Sequence, residues 1–182
     1  MAPLSPPDPP LTDGVVSLRA FRDSDAHAIV AMMDEPEIAR WTRAPSPYRL
    51  DDAIEWLAKL PAGPVRGDLP LAVVDAPSDE LIGSIGLRLR DDGRGEFGYA
   101  VAAPARRRGI ASRALRLYAR WAFEELGLER LEVHTRPANG PSIAMAESVG
   151  FQREGVLRSY TVIRGERADV VMLSLLPGEL RE

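Results

Sequence analysis

The spacing of apolar positions alternates along the chain between the period of a strand and that of a helix. This order of elements favours an α/β (α+β) fold, a sandwich of helices on a sheet. The predicted strands are 14–21, 71–76, 81–90, 96–101, 128–135 and the two arms of a hairpin around Arg164-Gly165 within 153–175. The predicted helices are 22–41, where Pro36 ends one helix or begins the next, 50–60, a long helix from near Gly109, and 139–151, closed by Gly150.

The segments between these elements suggest how the chain is organised. Only "PSDE" and "DDGRG" separate the strands at 71–101, so we expect an antiparallel meander there. The proline- and glycine-containing segment 61–70 is predicted to be a loop. Residues 1–13 hold five prolines, which lack backbone donors, and are predicted to form a disordered tail before a single domain at 14–178.

Composition excludes several classes of function. The net charge of −4 and pI near 5.3 argue against a broad nucleic-acid surface, and no signal peptide or long apolar run is present, so we expect a cytoplasmic protein that binds no membrane. Cysteine is absent, which excludes a covalent cysteine intermediate. Lys59 is the only lysine, and no P-loop surrounds it. His27 and His134 lack spaced partners, so we expect no metal site and a structural or surface role for both.

Two glycine-containing stretches resemble phosphate-binding loops, and their contexts separate them. "GRGEFG" satisfies G-x-G-x-x-G, but a strand follows it where a dinucleotide site needs a helix, so Gly93 and Gly95 are interpreted as hairpin-turn residues. The segment 106–109, "RRRG", instead precedes the long helix. The free amides of a helix start attract a small anion, and arginines and Ser112 add donors. An exposed basic turn that merely begins a core helix is the alternative.

The pattern R-x-x-G-x-A at Arg106, Gly109 and Ala111 resembles motif A of the GNAT N-acetyltransferase superfamily. With "N-x-x-S" at Asn139 and Ser142, and "GF" at Gly150, the likeness to the RimJ/RimL-type branch covers about residues 15–176. It implies a mixed, mostly antiparallel sheet of about six to seven strands with about four helices. It also implies acetyl-CoA as co-substrate, without a metal.

The resemblance assigns residues to coenzyme binding. Backbone amides of 108–112 would hold the pyrophosphate with Arg106 beside them, the edge of 99–101 would bind the pantetheine arm as an added strand, and Asn139 and Ser142 would lie near the thioester. Because Pro141 suits a first helical turn, Asn139 as a simple N-cap is an open alternative. The full set is Tyr99, Ala100, Val101, Arg106, Arg107, Arg108, Gly109, Ile110, Ala111, Ser112, Asn139 and Ser142.

Two residues are candidates for proton transfer. In a regular strand Glu96 shares a face with Gly98 and Ala100, which leave room for a ligand, while the aromatic Phe97 and Tyr99 face the core. The resemblance suggests Glu96 as general base and Ser142 as proton donor to the departing thiolate. A solvated glutamate at a strand start is the alternative, and a bulge would change which face Glu96 occupies.

The acceptor is the part of the function that the sequence defines least. The resemblance points to a wall made by Trp41, Arg43 and Tyr48, with Tyr160 added because no carboxylate occurs at 158–161. It favours direct transfer to a peptide α-amine. Small amines such as polyamines or aminoglycosides, a larger acyl-CoA donor, and a non-catalytic CoA-binding sensor are the alternatives. A homodimer is left open.

Overall fold

The computed structural model describes residues 5–60, 67–90 and 92–182, so most of the predicted loop at 61–70 and residue 91 of the predicted turn lie outside the described part. Within it, one sheet runs in the order β1-β2-β3-β4-β5-β6-β8-β7. The strands are β1 Leu11–Thr12, β2 Val16–Arg19, β3 Asp68–Asp75, β4 Leu81–Leu89, β5 Arg94–Val101, β6 Arg130–Thr135, β7 Gln152–Ile163 and β8 Glu166–Leu175. The helices are α1 Ala26–Met33, α2 Pro36–Trp41, α3 Leu50–Lys59, α4 Ile110–Glu124 and α5 Gly140–Val149.

The predicted fold class is confirmed. Neighbouring strands from β1 to β5 pair antiparallel, which the short connections had indicated for β3 to β5, and β5 pairs parallel with β6. Strand β8 lies between β6 and β7. The described residues contain eight strands and five helices, slightly more than the six to seven strands and four helices expected.

One additional strand comes from the segment predicted to be a disordered tail. Leu11 and Thr12 pair with Leu18 and Ser17, and the Thr12 hydroxyl donates to the carbonyl of Val16 at 2.9 Å. The neighbouring Asp13 carboxylate accepts hydrogen bonds from two backbone amides. For 11–13 the expectation of disorder is therefore wrong, because these side chains close a tight turn onto β2. Residues 1–4 of that tail lie outside the described part.

The additional helix results from Pro36, which occupies the first turn of α2. Proline at that position lacks a donor that the helix would leave unpaired anyway, so it begins a new helix rather than bending the old one. Of the two possibilities for Pro36, the structure therefore adopts the second.

The core lies on both faces of the sheet. On one face α4 buries Tyr118 completely, and its hydroxyl donates to the carbonyl of Leu69 at 2.8 Å. The Tyr118 ring packs against that of Phe97 with centroids 5.3 Å apart. On the other face α1 and α3 cover Ala72 and Val74. Residues that alternate along a central strand therefore face different helices.

The two glycines of "GRG" differ in role. Gly93 has φ +80° and lies in the turn, as predicted. Gly95 lies inside β5, where a Cβ would come within 2.6 Å of Leu87 Cδ1 and 2.9 Å of Leu128 Cδ1. The prediction that Gly95 is a turn residue is wrong. It is a strand position that close core packing restricts to glycine.

The sheet opens between its two parallel strands. Strand β5 pairs with β6 from Arg94 to Phe97, but it stays paired with β4 as far as Val101. Among the described residues, the edge of β5 at 98–101 has no strand partner on the β6 side. A cleft therefore begins after Phe97, and the predicted site residues lie around it.

Candidate active site

Three segments line one side of this cleft. They are the edge of β5 at 98–101, the turn and helix start at 106–112, and the start of α5 at 139–142. We call these segments the donor wall, after the role the sequence predicts for them. An unpaired strand edge offers backbone donors and acceptors to an extended, amide-bearing ligand.

The turn before α4 has the backbone shape of an anion site. Gly109 caps the helix with φ +75°, and no side chain caps this helix start. Arg107 also has a positive φ, of 61°. Arg107 and Arg108 are exposed, and the Ser112 hydroxyl donates back to the Gly109 carbonyl at 2.9 Å. The first-turn amides therefore remain available to a phosphate, with two arginines beside them.

Arg106 points in a different direction from its two neighbours. Its Nε donates to the carbonyl of Val101 at 3.0 Å, and its Nη2 donates to Glu35 Oε2 at 2.6 Å. The Glu35 carboxylate also accepts from the backbone amide of Ala103. These contacts join the end of β5 to the start of α2. The Arg106 side chain thus fixes the position of α2 relative to the cleft edge of β5.

The start of α5 brings two predicted residues together. Asn139 is the N-cap, and its Oδ1 accepts from the backbone amide of Ser142 at 3.4 Å. The Ser142 Oγ is hydrogen-bonded to the Tyr99 hydroxyl at 2.7 Å. Burial raises the pKa of Tyr99 to about 12, outweighing the opposite effect of Ser142. Tyr99 is therefore a neutral hydroxyl at neutral pH, in direct contact with the start of α5.

Glu96 lies on the opposite face of β5 from Tyr99. It stands opposite Arg88 of β4, and Gly98 stands opposite Gly86, so the strand alternates regularly at this point. The carboxylate is one-fifth exposed and accepts from Arg90 Nη2 at 2.8 Å. It is therefore a fixed, partly buried anion, in contrast to the solvated glutamate considered as the alternative. With Gly98 it borders an open hollow of about 350 Å³ under α3.

The groups next to Glu96 are a histidine and a second glutamate, which no sequence motif linked to proton transfer. His134 Nδ1 lies 3.7 Å from Glu96 Oε1, and its Nε2 lies 3.1 Å from Glu132 Oε2. Burial alone would raise the pKa of Glu132, but the hydrogen bond from Arg130 and the neighbouring charges hold it below its usual value. The sequence signal for these groups is the two-residue period of a strand, which places Glu132 and His134 on one face of β6.

The other side of the cleft is made by segments far apart in sequence. Arg43 Nη2 donates to Thr161 Oγ1 at 2.6 Å, and the Arg164 guanidinium donates to the carbonyls of Ala39 and Ala44. We call this side, residues 36–44 and 158–167, the acceptor wall. The tip of the β7–β8 hairpin is thus fastened to α2 and to the loop after it.

Two aromatic residues of the acceptor wall face β6 and the loop after it. The Arg136 guanidinium lies 5.5 Å from the centre of the Trp41 ring, and the Tyr160 ring meets the His134 ring edge-on at 5.6 Å. Trp41, Arg43 and Tyr160 therefore all belong to the acceptor wall, and their contact with an acceptor stays a prediction.

Tyr48 is separated from that group. It is only 7% exposed and lines a cavity of about 370 Å³ between α1 and α3, with Phe21, Ile29 and Trp56. Burial, with the nearby charge of Asp52, raises the pKa of its hydroxyl. The structure therefore gives Tyr48 a place in the packing of α1 and α3, in a cavity that Ala44 of the acceptor wall also lines. Among the described residues, no helix is long and apolar enough to cross a membrane.

Known proteins resemble this chain in both sequence and fold. A family model described as an acetyltransferase (GNAT) domain matches residues 16–152. The uncharacterized N-acetyltransferase YoaA of Bacillus subtilis is 30% identical over 91% of this chain and 94% of its own length. The uncharacterized N-acetyltransferase p20 of Bacillus licheniformis is 29% identical over 90% and 94%. The structure of Mycobacterium smegmatis RimJ in complex with CoA-disulfide is 26% identical and superposes with a TM-score of 0.81 over 95% of this chain and 88% of that one.

Proposed function

The chain belongs to the GNAT acetyltransferase family, and from this we propose that it transfers an acetyl group from acetyl-CoA to the N-terminal α-amine of a protein or peptide. That it is an acyl-CoA-dependent N-acyltransferase follows from the family itself. The acceptor class, the direct attack of the amine and the roles of individual residues are the proposal.

One observation carries the proposal more than any other. At the point where β5 leaves β6, a carboxylate and a pair of hydroxyls lie on opposite faces of the same strand. Acyl transfer to an amine needs a group that removes a proton from the nucleophile and another that protonates the departing thiolate. Glu96 serves the first purpose, from the acceptor side, and Ser142 the second, from the donor side.

The donor wall fits the coenzyme. The amides of 108–112, with Arg107 and Arg108, hold the pyrophosphate, and the edge of β5 at 98–101 pairs with the pantetheine arm. When bound, acetyl-CoA supplies an acetyl carbonyl activated as a thioester. The Tyr99 hydroxyl orients Ser142, which lies at the same end of the wall.

The acceptor class rests on chemistry and on likeness. An α-amine has a pKa of about 7.7–8.0 and a lysine side chain about 10.4, so the α-amine loses its proton more readily at neutral pH. The resemblance to the RimJ/RimL branch and the similarity to RimJ point the same way. The hollow of about 350 Å³ beside Glu96 leaves room for the first residues of a peptide.

A panel of acceptors tests the proposal. Thiol release from acetyl-CoA is measured with a peptide bearing a free N-terminus, the same peptide with a blocked N-terminus and an internal lysine, and spermidine. We expect the free α-amine to give the highest kcat/KM. Faster turnover of spermidine or of the lysine would identify that amine, and not the α-amine, as the acceptor. Faster turnover with a longer acyl-CoA would identify that thioester, and not acetyl-CoA, as the donor. Coenzyme binding without turnover on any amine would favour the sensor.

A further inference from the structure

We propose that Glu96, His134 and Glu132 form a relay through which the acceptor's proton leaves the cleft. The proposal rests on the proposed transfer to an amine and adds a step to it. The three side chains lie on one face of two paired strands, directly where the cleft begins.

The relay follows from strand geometry. Glu96 and Glu132 are register partners across β5 and β6, and His134 follows Glu132 by two positions, on the same face. His134 belongs to the part of β6 that β5 no longer covers. Its side chain is 9% exposed, between carboxylates 3.7 Å and 3.1 Å away. A nearly buried imidazole can take up a proton at the ring nitrogen that faces one carboxylate while the other carboxylate holds its second nitrogen.

The charges around Glu132 define the direction of the relay. Arg130 Nε donates to its Oε1 at 2.7 Å and Arg94 Nη1 at 3.2 Å, so the carboxylate stays ionised and can only accept hydrogen bonds. Its free oxygen, Oε2, therefore accepts the N–H of His134 Nε2 at 3.1 Å. This leaves a lone pair on Nδ1 directed toward Glu96. A buried carboxylate that fixes a histidine tautomer is a recurrent way to prepare a base.

The proton balance of the reaction requires such an exit. An ammonium acceptor loses two protons as its nitrogen forms the bond to the acetyl carbon. The sulfur, on losing its bond to that carbon, takes up one proton from Ser142, and one of the two protons that leave the nitrogen restores the Ser142 hydroxyl. The other proton must reach solvent. Glu96 receives it from the amine, and His134 Nδ1 takes it from Glu96, directly or through one water. The imidazolium is stabilised between two carboxylates until Nδ1 releases the proton to water in the cleft, while Glu132 stays ionised and holds the N–H of Nε2.

The other groups facing these residues support a histidine-centred relay. Arg88 and Arg90 face Glu96 from β4 and the loop after it, Tyr160 of β7 contacts the imidazole ring, and Met172 of β8 stands opposite His134 in register. The arginines hold Glu96 from the β4 side, and the imidazole turns one ring nitrogen toward each of the two carboxylates. Among the described residues, no group of acidic and histidine side chains has the arrangement of a metal site.

Histidine NMR tests the coupling without any turnover. The chain has only two histidines, and His134→Gln identifies which ring signals belong to His134. Removing the Glu132 charge with Glu132→Gln should move the pH midpoint of the His134 signals down by about 0.5–1 unit, and Glu96→Gln should lower it by less. The exposed His27 serves as internal control and should not move. Unchanged His134 signals in both variants would overturn the relay.

The pH dependence of transfer tests its function. We expect His134→Gln to lower kcat/KM about tenfold near pH 7 and to remove the loss of rate at lower pH that the relay predicts for wild type. His27→Gln should match wild type, and coenzyme affinity should be unchanged in both. If His134→Gln transfers the acetyl group with the wild-type pH profile, the relay is overturned and the proposed function is not. A wild-type protein that acetylates no amine would overturn the proposed function, and the catalytic relay with it.

Discussion

The donor wall and the acceptor wall are built in different ways. The donor wall consists of backbone features: an unpaired strand edge, a glycine at φ +75° and a helix start without a side-chain cap. The acceptor wall consists of long-range side-chain contacts, such as Arg43 to Thr161 and Arg164 to Ala39. Each of these joins segments more than 100 residues apart.

This difference suits the donor wall to a ligand that is always the same, the coenzyme. It suits the acceptor wall to a ligand that can differ between related proteins, the amine. Backbone amides at a helix start bind phosphate whatever the neighbouring side chains are, so that wall keeps its shape as the sequence changes. A surface made from α2 and a hairpin tip changes with each side chain that fastens it. We therefore expect substitutions on the two walls to have separable effects on the two substrates.

The largest expected effect is at Glu96, between the walls. Glu96→Gln keeps the shape of the side chain and removes its basicity, so kcat should fall about 100-fold near pH 7, within the range typical of a general base. Coenzyme affinity, measured by calorimetry, should stay within twofold of wild type. Glu124→Gln, on the exposed side of α4, is the control. Unchanged turnover in Glu96→Gln would remove Glu96 from the mechanism.

The next largest effect is on the donor wall. A β-branched residue at Gly109 is strained at φ +75°, so Gly109→Val should distort the turn and weaken coenzyme binding about 10- to 100-fold, as expected for the loss of a charge-assisted hydrogen bond. Gly127→Val carries a similar strain at the other end of α4, where φ is +63°. It should lower stability without changing coenzyme affinity. Equal affinities in the two variants would mean that the turn does not hold the coenzyme.

A smaller effect is expected from the hydroxyl pair of the donor wall. Tyr99→Phe removes one hydrogen bond to Ser142, so kcat should fall about fivefold, the equivalent of about 1 kcal/mol. In a Ser142→Ala background the same change should have no further effect. Tyr118→Phe loses a hydroxyl bonded to Leu69, away from the cleft, and should affect stability alone. Additive losses in the double variant would show that the two hydroxyls act independently.

The smallest effect is expected on the acceptor wall. Arg164→Ala releases the hairpin tip from Ala39 and Ala44, and we expect the acceptor KM to rise about threefold while coenzyme affinity is unchanged. Arg153→Ala, an exposed arginine at the start of β7, is the matched control. A change in coenzyme affinity in Arg164→Ala, with no change in acceptor KM, would reverse the assignment of the two walls.

The sequence predicts most of the fold and of the donor wall because both depend on local patterns. The strand period placed Glu96 on the face of Gly98, and the position of Gly109 before an apolar period located the turn. Gly95 was misassigned because its small size is required by Leu87 of the paired strand β4 and by Leu128, which follows α4. No local pattern contains that information.

The acceptor side was predicted less completely for the same reason. Trp41, Arg43 and Tyr160 were expected on one wall, but Arg164 and its carbonyl partners were not. Tyr48 is close to Arg43 in sequence, yet its side chain packs between α1 and α3. His134 was interpreted as structural or surface. Its distance to Glu96 depends on the parallel pairing of β5 with β6, which a periodicity does not reveal.

The central claim is that the two walls hold both substrates at once, so that the amine attacks the acetyl group directly. Initial rates with acetyl-CoA and an amine acceptor, each varied at several fixed concentrations of the other, test it most directly. Direct transfer predicts double-reciprocal lines that intersect. Parallel lines would indicate that the acetyl group rests on the enzyme before the amine binds, and would contradict the account.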